Sequence, residues 1–472
     1  MKAWRLRRVI VGAALAFEFS LLASSAEAAP LDGAHLSLWW TLPFIGLLAS
    51  IGLGPLIAEA FWHKHYGKIA LLWAAGLLIA LAVRFGPSAA LDGAAHSLLR
   101  DYLPFILMMY ALYTAAGGVV LRGAHHRRPA INTLLMAVGT ALGSVIGVTA
   151  ASMIMIRPML RANNERRRNA HIVVFFIILV SNIGGAMTPL GNPPLFLGFV
   201  NGVDFFWPAV HQWSQTLFVT VWLLALFFFI DRWLLARDGR TSDVPAPDAP
   251  TRFSGVRNLL LLALTVDTIV TCGLWKPGVG FELLGLRIEL QDLVRDAAMV
   301  LIGLTSLYLT DRSARAANGF EWAPLVEVAK LFAAIFVCMV PLFAMLEAGR
   351  EGPLASLIAL MSGPDGEPRP VAYFWFTGLL SAALDNAPTY LVAFDLAGGD
   401  PARLMGPDAA TLRAIGLGAA FMGALTYVGN APNFMVYAIA RRDGFQPPSF
   451  FGFMLWSSAI MAPILIAVSF ML

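Results

Sequence analysis

Two short stretches of the chain place the same polar residues among the same helix-breaking residues. Residues 185–196 read GAMTPLGNPPLF, and residues 423–434 read GALTYVGNAPNF. Seven of the twelve aligned positions are identical, where ordinary residue usage would give about one. The identical pairs are Gly185/Gly423, Ala186/Ala424, Thr188/Thr426, Gly191/Gly429, Asn192/Asn430, Pro194/Pro432 and Phe196/Phe434. Their hydroxyl and amide groups are neutral donors and acceptors that can bind a small ion or a polar group.

A third stretch, SAALDNAPTY, adds a charge to this set. Asp385, Asn386 and Thr389 lie there in the middle of an apolar run. A carboxylate inside a membrane is costly and by default indicates an ion or proton path. Sodium and a proton could compete for such a group. Asp267, in LLLALTVDTIVTCGLW, is a second candidate for ion coupling, and pairing with a neighbouring helix or a place near the surface explains it equally well.

The composition places these stretches in a polytopic membrane protein. Of the 472 residues, 58% are hydrophobic and 13% are charged, whereas soluble domains are about half apolar and a quarter charged. Interrupted helices at membrane depth are tolerated only where protein or a water-filled cavity surrounds them, because lipid satisfies no backbone hydrogen bond. Breaks in corresponding positions of two halves indicate the binding site of a secondary transporter. Two unrelated helices kinked by Gly and Pro are the alternative, but they do not explain the shared polar residues.

The N-terminus and the basic residues predict location and orientation. Residues 1–29 are typical of a signal peptide or an uncleaved signal anchor, because a basic start is followed by an apolar stretch and the small-residue site Ala26-Glu27-Ala28. Of the other Lys and Arg residues, 20 fall in loops assigned to the cytoplasm and nine in external loops. This positive-inside bias supports the assigned orientation. We expect a multi-pass protein of a bacterial inner membrane.

The apolar segments divide into two halves that repeat in opposite orientation. Each half is expected to contain a re-entrant helical hairpin followed by a broken transmembrane helix. The run at 131–160 suggests this, because it is short for two crossings and long for one, and both its ends carry arginines. We predict an all-α fold with an inverted repeat and about ten full spans after the signal segment. The predicted ranges are 30–231 for the first half, with hairpin 131–160 and broken helix 170–200, then a cytoplasmic linker at 232–257, and 258–472 for the second half, with hairpin 371–396 and broken helix 414–440.

This arrangement resembles the ion transporter superfamily, which includes sodium/proton antiporters, arsenite exporters and citrate or dicarboxylate carriers. The resemblance covers about residues 37–470, and SNIGGAMTPLGNPP is its most specific part. Its nearest branch is labelled both for citrate transport and for sodium/proton antiport. The resemblance implies ligands at the second hairpin tip and in the two unwound loops. The matching residues are Asp385, Asn386 and Thr389 at the tip, and Gly191, Asn192, Gly429 and Asn430 in the loops.

The first hairpin tip departs from the family pattern. GVTAAS keeps Thr149 but has no acidic residue or Asn before it, which argues against a symmetric pair of sodium sites. The candidate ion- or substrate-binding residues are therefore Asp385, Asn386, Thr389, Thr149, Asn182, Thr188, Gly191, Asn192, Thr426, Gly429 and Asn430. Asp267 is a candidate for coupling. We expect no catalytic residue, no metal centre and no cofactor, with sodium ion and proton as the coupled ions.

The residues favour one function without excluding others. Sodium/proton antiport by alternating access is preferred, because Asp385 would repel a tricarboxylate unless a cation lay between them. Cation-coupled transport of citrate or a dicarboxylate is the alternative. A membrane-embedded enzyme comes third, since the sequence shows no clustered nucleophile or metal set. The expected partners are small ions or a carboxylate substrate and the lipid bilayer, not nucleic acid. Similar folds are often dimeric, so a homodimer is compatible with the resemblance.

Overall fold

A computed structural model describes residues 31–472 except 125–127, 165, 239–248, 284–285, 365 and 428. The expected signal segment, residues 1–29, lies outside the described residues. The regular structure is almost entirely α-helical, and the chain is an all-α polytopic membrane protein, as the composition predicts. Two short antiparallel strand pairs, which the sequence did not suggest, connect helices at their ends.

The first half contains nine helices and one strand among the described residues. A π-helical segment, Leu98–Tyr102, joins the third helix to the fourth. The elements are α1 Leu42–Ile57, α2 Glu59–Phe85, α3 Pro87–Ser97, α4 Leu103–Ala116, β1 Val120–Ala124, α5 Pro129–Ile146, α6 Val148–Asn163, α7 Ala170–Leu179, α8 Pro193–Val200 and α9 Trp207–Arg237.

The second half begins with a strand that pairs with β1, so that Val120 lies opposite Ser254. A hairpin of two strands then separates its first two helices, with Gly280 opposite Glu289. The elements are β2 Ala249–Ser254, α10 Val256–Leu274, β3 Gly280–Leu283, β4 Leu286–Glu289, α11 Leu290–Leu309, α12 Arg312–Ala317, α13 Ala323–Glu347, α14 Ala355–Met361, α15 Pro370–Ala383, α16 Asn386–Leu396, α17 Pro401–Met405, α18 Ala409–Met422, α19 Ala431–Arg442 and α20 Phe450–Ser469.

Seven helices of the described residues are long and apolar enough to cross a membrane. Six of them, which overlap α1, α2, α9, α10, α13 and α20, coincide with the spans that the apolar runs predict at about 37–60, 67–84, 214–231, 258–275, 325–346 and 450–470. The seventh, α5, is the first limb of the predicted hairpin. The other predicted spans are the two interrupted helices, the 14-residue α4 and the 20-residue α11. In α11 the buried guanidinium of Arg295 is 2.8 Å from Asp292 and 2.9 Å from Asp296, and these charges lower its hydropathy.

Each half contains a helical hairpin that turns sharply at its tip. In the first hairpin, α5 and α6 are joined by Gly147 alone, whose φ of 87° favours glycine. In the second hairpin, α15 and α16 are joined by Leu384 and Asp385, both extended. The Asp385 carboxylate accepts a hydrogen bond from Ala387 N at 3.2 Å, so this tip is closed by a helix cap instead of a glycine.

The two hairpins open toward opposite ends of the bundle. At the open end of the first hairpin, Asn132 and Asn163 exchange hydrogen bonds of 2.9 Å, and Asn132 also donates to Asp231 near the C-terminal end of α9. At the other end of α9, Trp207 Nε1 donates to the carbonyl of Met405 in α17, which follows the second hairpin. Because α9 is about 46 Å long at 1.5 Å per residue, these openings lie far apart.

The interrupted helices lie inside the protein. Every residue of α7 from His171 to Leu179 is buried, and so is nearly all of α18. A helix that is apolar on all sides and buried on all sides belongs in the centre of a bundle. Its break at residues 180–192 is therefore surrounded by protein, as an unwound segment at membrane depth requires.

Candidate functional site

The two breaks are held in the same way by their threonines. Thr188 donates to the carbonyl of Ser144 in α5, and its hydroxyl accepts a hydrogen bond from Gly191 N at 3.1 Å. Thr426 donates to the carbonyl of Ala382 in α15 at 2.8 Å and accepts from Gly429 N at 2.9 Å. Corresponding residues are 238 positions apart throughout. These hydroxyls therefore fasten each unwound loop to the hairpin of its own half.

Glycines allow each unwound loop to fold back on itself. A Cβ atom on Gly191 would lie 2.5 Å from the carbonyl oxygen of Gly185. In the second half, a Cβ atom on Gly429 would lie 2.8 Å from the carbonyl oxygen of Gly423. No larger residue fits at either crossing, which explains why both glycine pairs occur in both copies.

The shared Asn and Pro residues restart the helices after the breaks. Asn192 and Asn430 are the N-cap residues of α8 and α19, and proline follows within the first two helical positions of each. Proline is tolerated there because the first helical N–H groups have no partner within the helix. Neither asparagine side chain caps its own helix. Both side chains instead form hydrogen bonds with residues of other elements.

The asparagine side chains connect the two halves. Asn386 Nδ2, at the second hairpin tip, donates to Asn192 Oδ1 at 2.9 Å. Asn430 Nδ2 donates to the carbonyl of Ser181 at 2.9 Å and to Asn182 Oδ1 at 3.1 Å. The breaks and the second tip thus form one polar centre between residues that lie about 200 to 250 positions apart.

Some buried amide atoms of this centre have no hydrogen-bond partner among the described residues. These free atoms distinguish candidate ligands from residues that only stabilise the fold. Asn192 Nδ2, Asn386 Oδ1 and Asn430 Oδ1 are buried without a hydrogen-bond partner among the described residues. Such atoms are rare in native proteins and need an explanation, such as a bound ion or water. Asn182, by contrast, uses its whole amide, because Nδ2 also donates to the carbonyl of Ile177 and to Asn433 Oδ1.

Four helix N-termini meet at this centre. The N-terminus of α6 lies against the first break, where Val148 N donates to the carbonyl of Gly191 at 2.9 Å. The N-termini of α8 and α16 are joined by the pair Asn192 and Asn386, and α19 begins at Asn430. Helix N-termini carry partial positive charge. Asp385 provides the one formal negative charge among these four caps.

A cavity of about 390 Å³ leads from one end of the bundle to this centre. Thr149, Asp385 and Asn430 line its inner part. Its outer part is lined by the exposed residues Glu321 and Arg442, which lie at the end assigned to the cytoplasm. Most of the remaining wall is apolar, including Ile51, Trp62, Leu331, Phe332 and Ile335. The shape is that of a vestibule with a polar inner end.

Three further candidates contribute none of the buried unpaired atoms. Thr389 is buried and its hydroxyl donates to the carbonyl of Asp385 at 2.9 Å within α16, so it supports the tip. Thr149 lies two residues after Gly147, the N-cap of α6. Its counterpart in the second tip, 238 positions later, is Ala387. Asp267 is exposed on the outside of α10 and does not line the cavity.

Sequence reasoning missed two residues of this region. Asn433 donates to the carbonyls of Gly423 and Thr426 and so holds the second break together. Its repeat counterpart is Leu195, so comparison of the two copies gave no signal. Arg157, one of the arginines at the end of the predicted hairpin that indicated its orientation, lines the cavity on α6. Only the packing of α6 against the loop before α13 shows this.

Comparisons with known proteins agree with the architecture. Residues 33–472 match the model of a family described as putative citrate transport. An uncharacterized transporter of Mycobacterium tuberculosis is 25% identical over 328 residues, which is 68% of this chain and 71% of the relative. A 46 kDa membrane protein of Mycobacterium leprae is 25% identical over 337 residues, 70% of this chain and 73% of that protein.

Proposed function

The chain belongs to the putative citrate transport family, and from that premise we propose that it carries an organic carboxylate together with a cation across a bacterial inner membrane. That it is a multi-pass membrane transporter rests on the family and on the transporter names of its relatives. Carboxylate as the substrate and cation coupling are the proposal. The observation that carries it is the cavity that ends at Asp385 and Asn430.

The size of the cavity favours an organic substrate over a bare ion. Its volume of about 390 Å³ lies in the range of small-molecule sites, which are typically a few hundred cubic ångströms, largely apolar and equipped with a few polar groups. A dehydrated monovalent cation needs only a handful of oxygen atoms. The apolar walls of this vestibule suit the carbon skeleton of a small organic acid.

The charges at the inner end suit an anion and a cation bound side by side. The N-termini of α6 and α19, which both contribute cavity-lining residues, favour a carboxylate. The Asp385 carboxylate and the free Oδ1 atom of Asn430 favour a hard cation such as sodium. A cation between Asp385 and the substrate removes the repulsion that the sequence alone suggested.

Sodium/proton antiport is the second candidate, and Asp385 is the observation that favours it. One of its oxygens accepts from Ala387 N, and the residue lines the cavity. A carboxyl group in that position could exchange a proton for a sodium ion without any organic substrate. In this case the large vestibule would serve only as a water-filled access path.

A transport assay with the full-length protein in proteoliposomes separates the two functions. We expect labelled citrate to accumulate inside when a sodium or proton gradient is imposed, and to leak out when the gradient is dissipated. Sodium-induced proton release in the absence of any carboxylate should be no faster than in protein-free liposomes. Rapid proton release without citrate uptake would contradict the proposal and support antiport.

A further inference from the structure

We infer that Arg157 binds an anionic group of the substrate inside the vestibule and thereby selects substrates that carry negative charge at two ends. This inference rests on the proposed carboxylate transport and assigns a residue to its specificity. The role differs from the one that the sequence suggested, in which Arg157 only marks the cytoplasmic end of the hairpin.

One face of α6 forms a wall of the cavity. Thr149, Met153 and Arg157 are spaced by four residues, which places them on one side of an α-helix, and all three line the cavity. Thr149 lies in the first turn of α6, at the inner end of the cavity, whereas Arg157 lies about 12 Å farther along the helix at 1.5 Å per residue. A substrate that touches the polar centre therefore has its other end on the side of the cavity where Arg157 lies.

Arg157 is the cationic lining residue that forms no ion pair with any described residue. Its Nε atom is buried without a hydrogen-bond partner among the described residues. Of the other charged lining residues, Asp385 lies at the inner end, Arg442 is 3.2 Å from Glu321, and Glu327 has an interaction of its own. A guanidinium group that is partly removed from water gains most from a carboxylate, to which it can donate two parallel hydrogen bonds.

Gly319 leaves room for the guanidinium group. A Cβ atom at residue 319 would collide with Nη2 of Arg157, so the glycine leaves the space that the planar group fills. The guanidinium group therefore lies against the loop before α13, and Arg157 and Gly319 both line the cavity.

The two polar ends of the cavity define the class of substrate. A first carboxylate would bind near the N-termini of α6 and α19 with the cation at Asp385. A second carboxylate would bind Arg157. Dicarboxylates and tricarboxylates can satisfy both ends, whereas a monocarboxylate leaves the guanidinium group unpaired. Selectivity for polycarboxylates over monocarboxylates should therefore depend on this one side chain.

The test measures uptake of labelled citrate by the full-length protein in proteoliposomes. Replacement of Arg157 by Gln should raise the KM for citrate by about tenfold or more while the maximal rate stays within about twofold, since a lost charge-assisted hydrogen bond costs about 1.5–3 kcal/mol. Arg157→Lys should give an intermediate KM. Arg441→Gln is the matched control, because it removes the same charge from an exposed residue of α19 that does not line the cavity.

A chemical rescue distinguishes charge from packing. In Arg157→Cys, a methanethiosulfonate reagent that carries an ammonium group should lower the KM toward the wild-type value. A reagent of similar size that carries a sulfonate should not. The wild-type protein, whose cysteines Cys272 and Cys338 are both buried, serves as the control for the reagents.

The outcomes separate this inference from the proposed function. Citrate uptake by the wild type with the same KM in Arg157→Gln and Arg441→Gln would overturn the role of Arg157 and leave carboxylate transport intact. Absence of citrate uptake by the wild type would overturn both. If Arg157→Gln does not fold, the rescued and unrescued forms of Arg157→Cys decide the question, and equal KM values in the two would also overturn it.

Discussion

The two hairpins have the same shape, but they carry their charges at opposite ends. The first hairpin has a neutral tip at Gly147 and Val148 and a charged base. The second has a charged tip at Asp385 and a base closed by a neutral hydrogen bond, from the Tyr373 hydroxyl to the carbonyl of Leu396 at 3.0 Å. The first hairpin thus has charged partners at its base, and the second presents a charge at its tip.

The base of the first hairpin is a buried charge cluster. Asp231 of α9 is fully buried and accepts hydrogen bonds from Asn132 at 2.9 Å and from Arg166, and His171 Nε2 lies 2.8 Å from its carboxylate. The cluster joins both limbs of the first hairpin to the start of the first interrupted helix. At the base of the second hairpin, the Arg403–Glu367 pair of 3.0 Å is exposed. Exposed pairs contribute little, so ion pairs stabilise the base of the second hairpin less than that of the first.

The largest effect is expected at the charged tip. Asp385→Asn keeps the size of the side chain and its place at the N-terminus of α16 but removes the negative charge that would neutralise the proposed cation. Cation-driven uptake in proteoliposomes should fall by at least about 100-fold, with the protein still folded. Asp443→Asn, at an exposed position after α19, is the charge-matched control. A normal uptake rate in the Asp385 variant would show that the charge at the second tip is not needed for transport.

We expect the buried charges at the base of the first hairpin to stabilise the folded protein. Asp231→Ala removes the buried carboxylate that balances the charge of the Arg166 guanidinium, so we expect the free energy of unfolding to fall by about 3–5 kcal/mol. The exposed counterpart at the second hairpin, Glu367→Gln, should cost less than about 1 kcal/mol. Thermal unfolding in detergent measures both. Equal losses would mean that the two hairpins are anchored alike.

The third effect concerns the asparagine at the second tip, whose counterpart in the first tip is Val148. Asn386→Val removes the free Oδ1 atom and leaves Asn192 Oδ1 without its donor, so the sodium concentration for half-maximal uptake should rise about tenfold. Asn182→Ala should instead lower the unfolding temperature and leave the sodium dependence of the folded protein unchanged. If both variants changed the sodium dependence equally, an unpaired amide atom such as Asn386 Oδ1 would be no better indicator of function than the fully hydrogen-bonded amide of Asn182.

The smallest effect is expected outside the hairpins and the interrupted helices. Asp267→Asn should leave the uptake rate within about twofold of the wild type, because this side chain is exposed on α10 and does not line the cavity. Initial rates at saturating and limiting sodium would test this. Loss of coupling in the variant would restore Asp267 as a coupling residue and place part of the ion path outside the two hairpins.

The amino-acid sequence by itself determined the membrane class and the positions of the two breaks. An apolar composition leaves helices as the spanning elements, and the GN-x-P pattern at Asn192 and Asn430 contains both an N-cap and a proline of the first helical turn. These are local rules, so they can be read from a few neighbouring residues. The hairpin limbs followed from the length of the apolar runs, and their observed bounds differ from the predicted ones by at most three residues.

Only the tertiary structure decided which polar atoms remain free. The sequence suggested Asn182, Asn192 and Asn430 alike as candidate ligands, but Asn182 is saturated by partners from both halves, whereas each of the other two keeps one unpaired atom among the described residues. Likewise, the sequence shows Arg157 only as one of several arginines at the end of the first hairpin. The packing of α6 beside Gly319 places it in the cavity wall. Hydrogen bonds between residues about 200 positions apart depend on how whole helices pack, and no local pattern encodes that packing.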